Sequence, residues 1–364
     1  MIEAEGAARR EDVRFAIPGL LGLVACTPIY DAQYDDRRRE LEAFREEFQP
    51  AKNVVELVES GGERVFWVDK IPPGSQIQMH SMDPANPSSQ VDYNFEAGNG
   101  FEEFHFGSQL VVDCSFGSIE AYMTTSSSDM VIGTLGQGGV ENCALDGNTI
   151  YFLKTDVIEK WTPVAGTTPM PSPFVDLVAA GLQNGATAFG VVGTLVVVAD
   201  GDGDLFTIDT SITPHQAVYL DNGDHKLGGS LFLEKDSLVF DTINPSGIRY
   251  IDLVDRTDES FDDLVDDGGY HINFKHGDIQ APVESEFVIH ERHVIYRGQR
   301  GIFAYGLDTG NVIDLLLEEG EGIDRVVAYR NPTVTKGGFL FVRSSDGFSG
   351  EGPVYKVDLA GRLR

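Results

Sequence analysis

One short pattern returns seven times along this chain and constrains its fold more than any other feature. A tight turn, usually built on Gly, Asp, Asn or Ser, is followed at once by a run of β-branched, aromatic or aliphatic residues. Gly61-Gly62-Glu63 precedes Arg64-Val65-Phe66-Trp67-Val68, and Phe106-Gly107-Ser108 precedes Gln109-Leu110-Val111-Val112. Asp146-Gly147-Asn148 precedes Thr149-Ile150-Tyr151-Phe152, and Gly193-Thr194 precedes Leu195-Val196-Val197-Val198. The same step recurs at Leu238, His293 and Phe339. Gly and Asp tolerate the positive φ of two-residue hairpin turns, and the residues that follow suit a pleated, half-buried strand.

A further strand follows each run and usually closes on Asp, as at Asp83, Asp209, Asp252, Asp308 and Asp358, with Thr125 and Thr162 in similar places. An Asp or Thr side chain there accepts from nearby backbone N–H groups and sets the next turn. A fourth strand then returns, as in Val312-Ile313-Asp314-Leu315-Leu316. Seven units of roughly 40–55 residues match the period of a four-stranded propeller blade. The fold class is therefore all-β: a β-propeller of seven four-stranded blades over residues 53–364. The first blade takes its inner strand from Val54, and Gly361 to Arg364 is the stretch left for the outer strand of the last.

Motifs such as Asp146-Gly147-Asn148-Thr149-Ile150-Tyr151 and Val354-Tyr355-Lys356-Val357-Asp358 resemble bacterial propeller repeats of the TolB, YVTN and PQQ-like kinds, and low-density-lipoprotein-receptor-like repeats. The resemblance implies the architecture and no particular family. The Trp-Ser-Pro-Asp-Gly signature of the TolB kind is missing, and Trp67 and Trp161 are the only tryptophans, so no quinone site is carried over.

The N-terminus has a different character. An apolar run from Phe15 to Ala25 follows Arg9, Arg10 and Arg14, and ends at Leu23-Val24-Ala25-Cys26. A positive flank, a short apolar stretch and small residues before a cut mark a secretory signal. Cysteine at the cut is similar to the lipobox of bacterial lipoproteins, which implies a lipidated Cys26. Glu3, Glu5, Glu11 and Asp12 depart from a positive leader. The domain reading is then a signal peptide over 1–25, a lipidated N-terminus and helical tether over 26–52, and the propeller over 53–364. In the tether, Tyr34, Leu41, Phe44 and Phe48 fall on one helical face between Pro28 and Pro50. It reads as a solvated spacer.

With a formal net charge of -31, the chain lacks the basic face that neutralises phosphates, so nucleic acid is excluded as a partner. Beyond Cys26 the cysteines are Cys114 and Cys143, placed on neighbouring blades. In an exported protein such a pair is a disulfide candidate; two separate buried thiols are the alternative. Asp200, Asp202 and Asp204 start like a calcium loop, but the sixth and twelfth positions hold Leu205 and Ser211 instead of Gly and Glu. A blade hairpin turn is the leading reading of that stretch, and a weak Ca2+ site the second. His271, His276, His290 and His293 gather near the sixth blade without the ordered set that zinc needs. Otherwise no cofactor is expected.

These features point to a membrane-anchored envelope scaffold, expected to be a monomer. It sits on the periplasmic side of an outer membrane or at the cell surface, and binds an envelope protein or polysaccharide. The turns between second and third strands would carry the ligand, with Phe116, Arg300 and Phe348 as anchors. The alternative is a polysaccharide hydrolase or lyase using carboxylates near the propeller axis.

Overall fold

The computed structural model of the chain describes residues 27–51, 54–71, 76–93, 104–114, 118–124, 131–136, 140–221, 227–234, 237–243, 246–253, 261–263, 287–298, 301–318, 328–345 and 352–364. These residues form seven four-stranded antiparallel sheets, each a blade. The blades span 54–93, 104–136, 140–176, 186–221, 227–263, 287–317 and 328–358. First strands of successive blades contact one another in a closed cycle, the last meeting the first. The protein is a seven-bladed β-propeller with its first strands around the axis.

The turns between first and second strands arise where the sequence pattern places them. Second strands begin at Arg64, Leu110, Thr149, Leu195, Ser237, His293 and Phe339. Gly147 has φ 58° in the third of these turns, a conformation that side chains disfavour. In the sixth, Glu291 and Arg292 adopt φ 46° and 64° without glycine.

The Asp residues closing third strands work as side-chain caps. Asp83 Oδ1 accepts the Ala85 N–H, Asp209 Oδ1 the Ser211 N–H, and Asp358 Oδ1 the Ala360 N–H, each at 2.9 Å. Two details differ from the sequence pattern. In blade two it is Thr124 that bonds back, its N–H to Gln109 O and its hydroxyl to Ser108 O. In blade six Asp308 stands two residues past the strand end at Gly306 and pairs instead with Arg292 at 2.7 Å.

Core side chains lie in the seams between blades. Val111 packs with Phe66 and Val68 between blades one and two, and Phe189 and Val196 with Ile158 between three and four. Between blades two and three the chain is also covalently joined: Cys114 and Cys143 form a disulfide with Cα atoms 6.4 Å apart. Cys114 directly follows the second strand of blade two, and Cys143 lies on the first strand of blade three.

Ring closure is the main departure from the sequence reading. The outer strand of blade seven is β1 (Arg45–Glu47), not Gly361–Arg364. It pairs antiparallel with Val354–Asp358 in the register Arg45↔Val357, Glu47↔Tyr355. Phe48 and Ala51 then enter the seam between blades seven and one with Trp67, Met82 and Phe341. The helix before it, α1 (Thr27–Glu42), lies on blade six and buries Leu41 against Phe287, Tyr296 and Leu317. Residues 34–51 are thus part of the folded disk and not a solvated spacer. The helical face holds at Tyr34 and Leu41, which pack on the propeller itself; the helix ends at Glu42, so Phe44 and Phe48 are not on that face, Phe44 being exposed and Phe48 buried past β1. Among the described residues no helix is long and apolar enough to cross a membrane.

Candidate interaction face

Each blade has two ends. Turns joining first to second and third to fourth strands lie at one end, called here the near face. Turns joining second to third strands, and the connections between blades, lie at the other, the far face.

Hydrogen bonds tie near-face turns of neighbouring blades to one another around part of the ring. Lys336 N–H donates to Gly62 O at 2.7 Å, linking blades seven and one. Asn148 Nδ2 donates to Gln109 Oε1 at 2.6 Å, linking three and two. Gly193 N–H donates to Asp146 Oδ2 at 2.9 Å, linking four and three. Such cross-ties hold neighbouring turns in fixed relation, which lowers the ordering cost of binding anything laid across them.

Apolar side chains stand out of that face. Eight large hydrophobic residues are exposed among the described ones, and five belong to the near face: Met123, Val164, Met170 and Ile212 on blades two to four, and Phe44 beside blade seven. Met170 is 83 % exposed. The blade-three and blade-four loops are ordered from within. Thr167 donates both its N–H and its hydroxyl to Val164 O, at 3.1 and 2.7 Å. Ile212 N–H donates to Asp209 O at 3.3 Å. The blade-three loop leans back on blade two. A Cβ added at Gly133 would meet the Trp161 ring at 2.8 Å and Pro169 Cγ at 3.8 Å, so the close approach needs glycine. The loop that carries Met170 thus rests against blade two, whose third strand ends at Met123.

A lone exposed apolar residue is ordinary, but several on one rigid rim mark a contact surface. Methionine is common on surfaces that bind proteins, because its unbranched thioether adapts to the partner. Both tryptophans, the strongest platforms for stacking a sugar ring, are buried: Trp67 is fully buried and Trp161 nearly so.

The residues singled out from sequence fare differently. Phe116, Arg300, Phe348 and Cys26 lie outside the described residues, as do His271 and His276. His290 and His293 face each other across the sixth-blade turn. Asp200, Asp202 and Asp204 form a hairpin turn between the strands Leu195–Asp200 and Leu205–Asp209. Asp200 is buried, and its Oδ1 accepts the N–H groups of Asp202 and Asp204 at 2.9 and 3.0 Å. Backbone amides thus bond one oxygen of that carboxylate and fix the turn. Among the described residues no three His, Cys, Asp or Glu side chains are grouped to hold a metal ion.

The Asp92 and Asp308 carboxyl groups are both held below the ordinary carboxyl range. Burial pushes Asp92 up, but hydrogen bonds from Gln90 and His80 outweigh it. Asp308 is lowered by the hydrogen bond from Arg292.

Sequence reasoning missed Met123, Val164, Met170 and Ile212. A signal was present. Val164 follows Pro163, Met170 sits between Pro169 and Pro171, and Ile212 lies just before Thr213-Pro214. Apolar residues fixed among prolines in a turn break the rule that turns are polar.

No family model matches the chain, and no curated protein matches it. Among solved structures, the computationally designed Ika8 protein is 14 % identical over 85 % of this chain and 97 % of its own, with a TM-score of 0.48. PorZ of Porphyromonas gingivalis, described as an essential bacterial surface component of the type-IX secretion system, is 10 % identical with a TM-score of 0.47. That match covers 85 % of this chain but 39 % of PorZ. BamB from Moraxella catarrhalis is 12 % identical over 84 % of this chain and 86 % of its own, at 0.45.

Proposed function

We propose that this protein is a lipid-anchored scaffold of the bacterial envelope that binds a protein partner through the near face of blades two to four. One observation carries the reading: Val164, Met170 and Ile212 are exposed on internally hydrogen-bonded turns of blades three and four, and Met123 is exposed at a strand end of blade two. Burying three or four such side chains supplies on the order of 5 kcal/mol, enough to favour one partner when the loops are already ordered. The chemistry of the rim favours a protein over a polysaccharide, since its anchors are aliphatic and thioether side chains. The anchor is the Cys26 lipid, after removal of residues 1–25.

The test is the triple variant Val164→Asp, Met170→Asp and Ile212→Asp. Tagged protein is used to capture partners from envelope extracts, with melting followed in parallel. The variant keeps its melting temperature and loses the partners captured by the wild type. Equal capture by a folded variant refutes the near-face reading. Mass analysis of the native N-terminus tests the anchor: an unlipidated residue 26, or an intact Met1, refutes it.

A further inference from the structure

The path of α1 fixes which face of the disk looks at the membrane. Tyr34 donates its hydroxyl to Glu318 O at 2.9 Å. Glu318 follows the fourth strand of blade six at its far-face end, because Leu317 pairs with Gly301, the first residue after the second-to-third turn. Arg37 Nε reaches Asp314 Oδ2 at 3.4 Å, closer to the middle of the same strand. Past the helix, Phe44 lies under the Arg362 guanidinium at 3.9 Å, at the near-face end of blade seven. The helix therefore runs from far face to near face.

Tyr34 already stands at the far-face edge, and the helix begins seven residues earlier at Thr27. At ~1.5 Å per residue, those residues carry the chain ~10 Å past that edge. Cys26 is the next residue. We infer that the propeller stands with its far face toward the bilayer and its near face, with the apolar rim, directed away from it. This rests on the lipid-anchor reading above.

Orientation here comes from packing and not from charge. The chain carries a net charge of -31, so an anionic surface repels it and cannot orient it by attraction. The docked helix supplies the torque. Leu41 is buried beneath it, and Arg38 Nη1 braces Glu42 at 3.0 Å within it. A lipid at Cys26 is thus joined to the disk through two turns of helix, not through a free leash. The consequence is functional: a partner reaching for Met170 approaches from the side opposite the membrane.

Blade three offers a ruler. Its second strand, Thr149–Lys154, has Asn148 before it on the near face and Thr155 after it on the far face, both exposed. The mature chain is coupled through Cys26 to maleimide phospholipid in phosphatidylcholine vesicles, which imposes the anchor whatever the native lipidation. A donor dye is placed through an azide-bearing residue at position 155 or 148, with acceptor dye on the lipid headgroups. Transfer from position 155 exceeds transfer from 148, and the excess vanishes when a flexible linker of about 20 Gly and Ser residues separates Cys26 from Thr27. Equal or reversed transfer overturns the inference, and so does an excess that survives the linker. An unlipidated native N-terminus would defeat the anchor and leave the vesicle result standing, so the two failures are told apart.

Discussion

Phe48→Ala tests whether the N-terminal segment closes the ring. Phe48 is 7 % exposed and meets two rings edge-on: Trp67 at 5.4 Å and 88°, Phe341 at 5.1 Å and 77°. Its N–H donates to Val354 O at 2.8 Å, so its backbone continues the blade-seven pairing made by β1. Removing the ring takes away its burial and opens a cavity between blades seven and one, a change that costs about 3–5 kcal/mol. The comparison is Phe44→Ala, four residues away. Phe44 is 53 % exposed and its main partner is the Arg362 guanidinium, so its loss costs at most about 1 kcal/mol. Urea unfolding followed by tryptophan fluorescence gives both values, and Trp67 reports from the seam itself. If Phe48→Ala costs under about 1 kcal/mol, or no more than Phe44→Ala, closure by residues 45–51 is refuted.

Other outcomes follow from named contacts. Thiol titration of the unfolded, unreduced chain finds no free thiol at Cys114 or Cys143, and Cys143→Ser lowers stability by about 3–4 kcal/mol for a loop of this length. Two free thiols would refute the bond. Asp92 is held below the ordinary carboxyl range, so its contribution is present above the unfolded pKa near 4 and fades as pH falls through the lower folded value. The melting difference between wild type and Asp92→Asn is therefore larger at about pH 6 than at pH 3, and a difference that grows on acidification contradicts this sign. The melting temperature rises from dilute buffer to about 1 M salt as self-repulsion is screened; a flat response would mean that the acids are compensated locally.

The architecture was legible because its strongest signals are local. A two-residue turn depends on the residues within it, so Gly62 or Asp146-Gly147 announces a hairpin without knowledge of the rest. All seven second strands start within one residue of the pattern for the same reason that Asp83, Asp209 and Asp358 cap their turns: donor and acceptor are two residues apart. Two are displaced by that one residue: Ser237 opens its strand ahead of Leu238, and Leu110 follows Gln109, whose carbonyl is taken by Thr124. Closure was not legible. Arg45-Glu46-Glu47 follows a charged helix and reads as its continuation, while its partner lies some 300 residues on at Val357. Nothing local to either segment records that pairing. The near-face rim was half legible: Val164 and Met170 stand out among prolines in sequence, but their exposure depends on how blade three leans on blade two at Gly133.

Closure and orientation are consequences of one piece of chain. If β1 had come from the C-terminus, as the sequence suggested, the N-terminal stretch would have been a loose tether and any face could have met the membrane. Instead, residues 34–51 are spent on the disk, sealing blades six, seven and one through Leu41, Arg45 and Phe48. The Arg45 guanidinium lies 4.4 Å over the Tyr355 ring and donates to the Tyr329 hydroxyl, so β1 is held by side chains as well as by its ladder. Pulling the helix off blade six to free the anchor would therefore strain the closing strand that follows it. Release of the tether and opening of the ring are coupled costs. A variant that loosens closure, such as Phe48→Ala, is expected to blur the transfer difference between positions 155 and 148 on vesicles before it unfolds the protein. If that difference stays intact while the seam at Trp67 is measurably loosened, the helix alone sets the orientation and the coupling is absent.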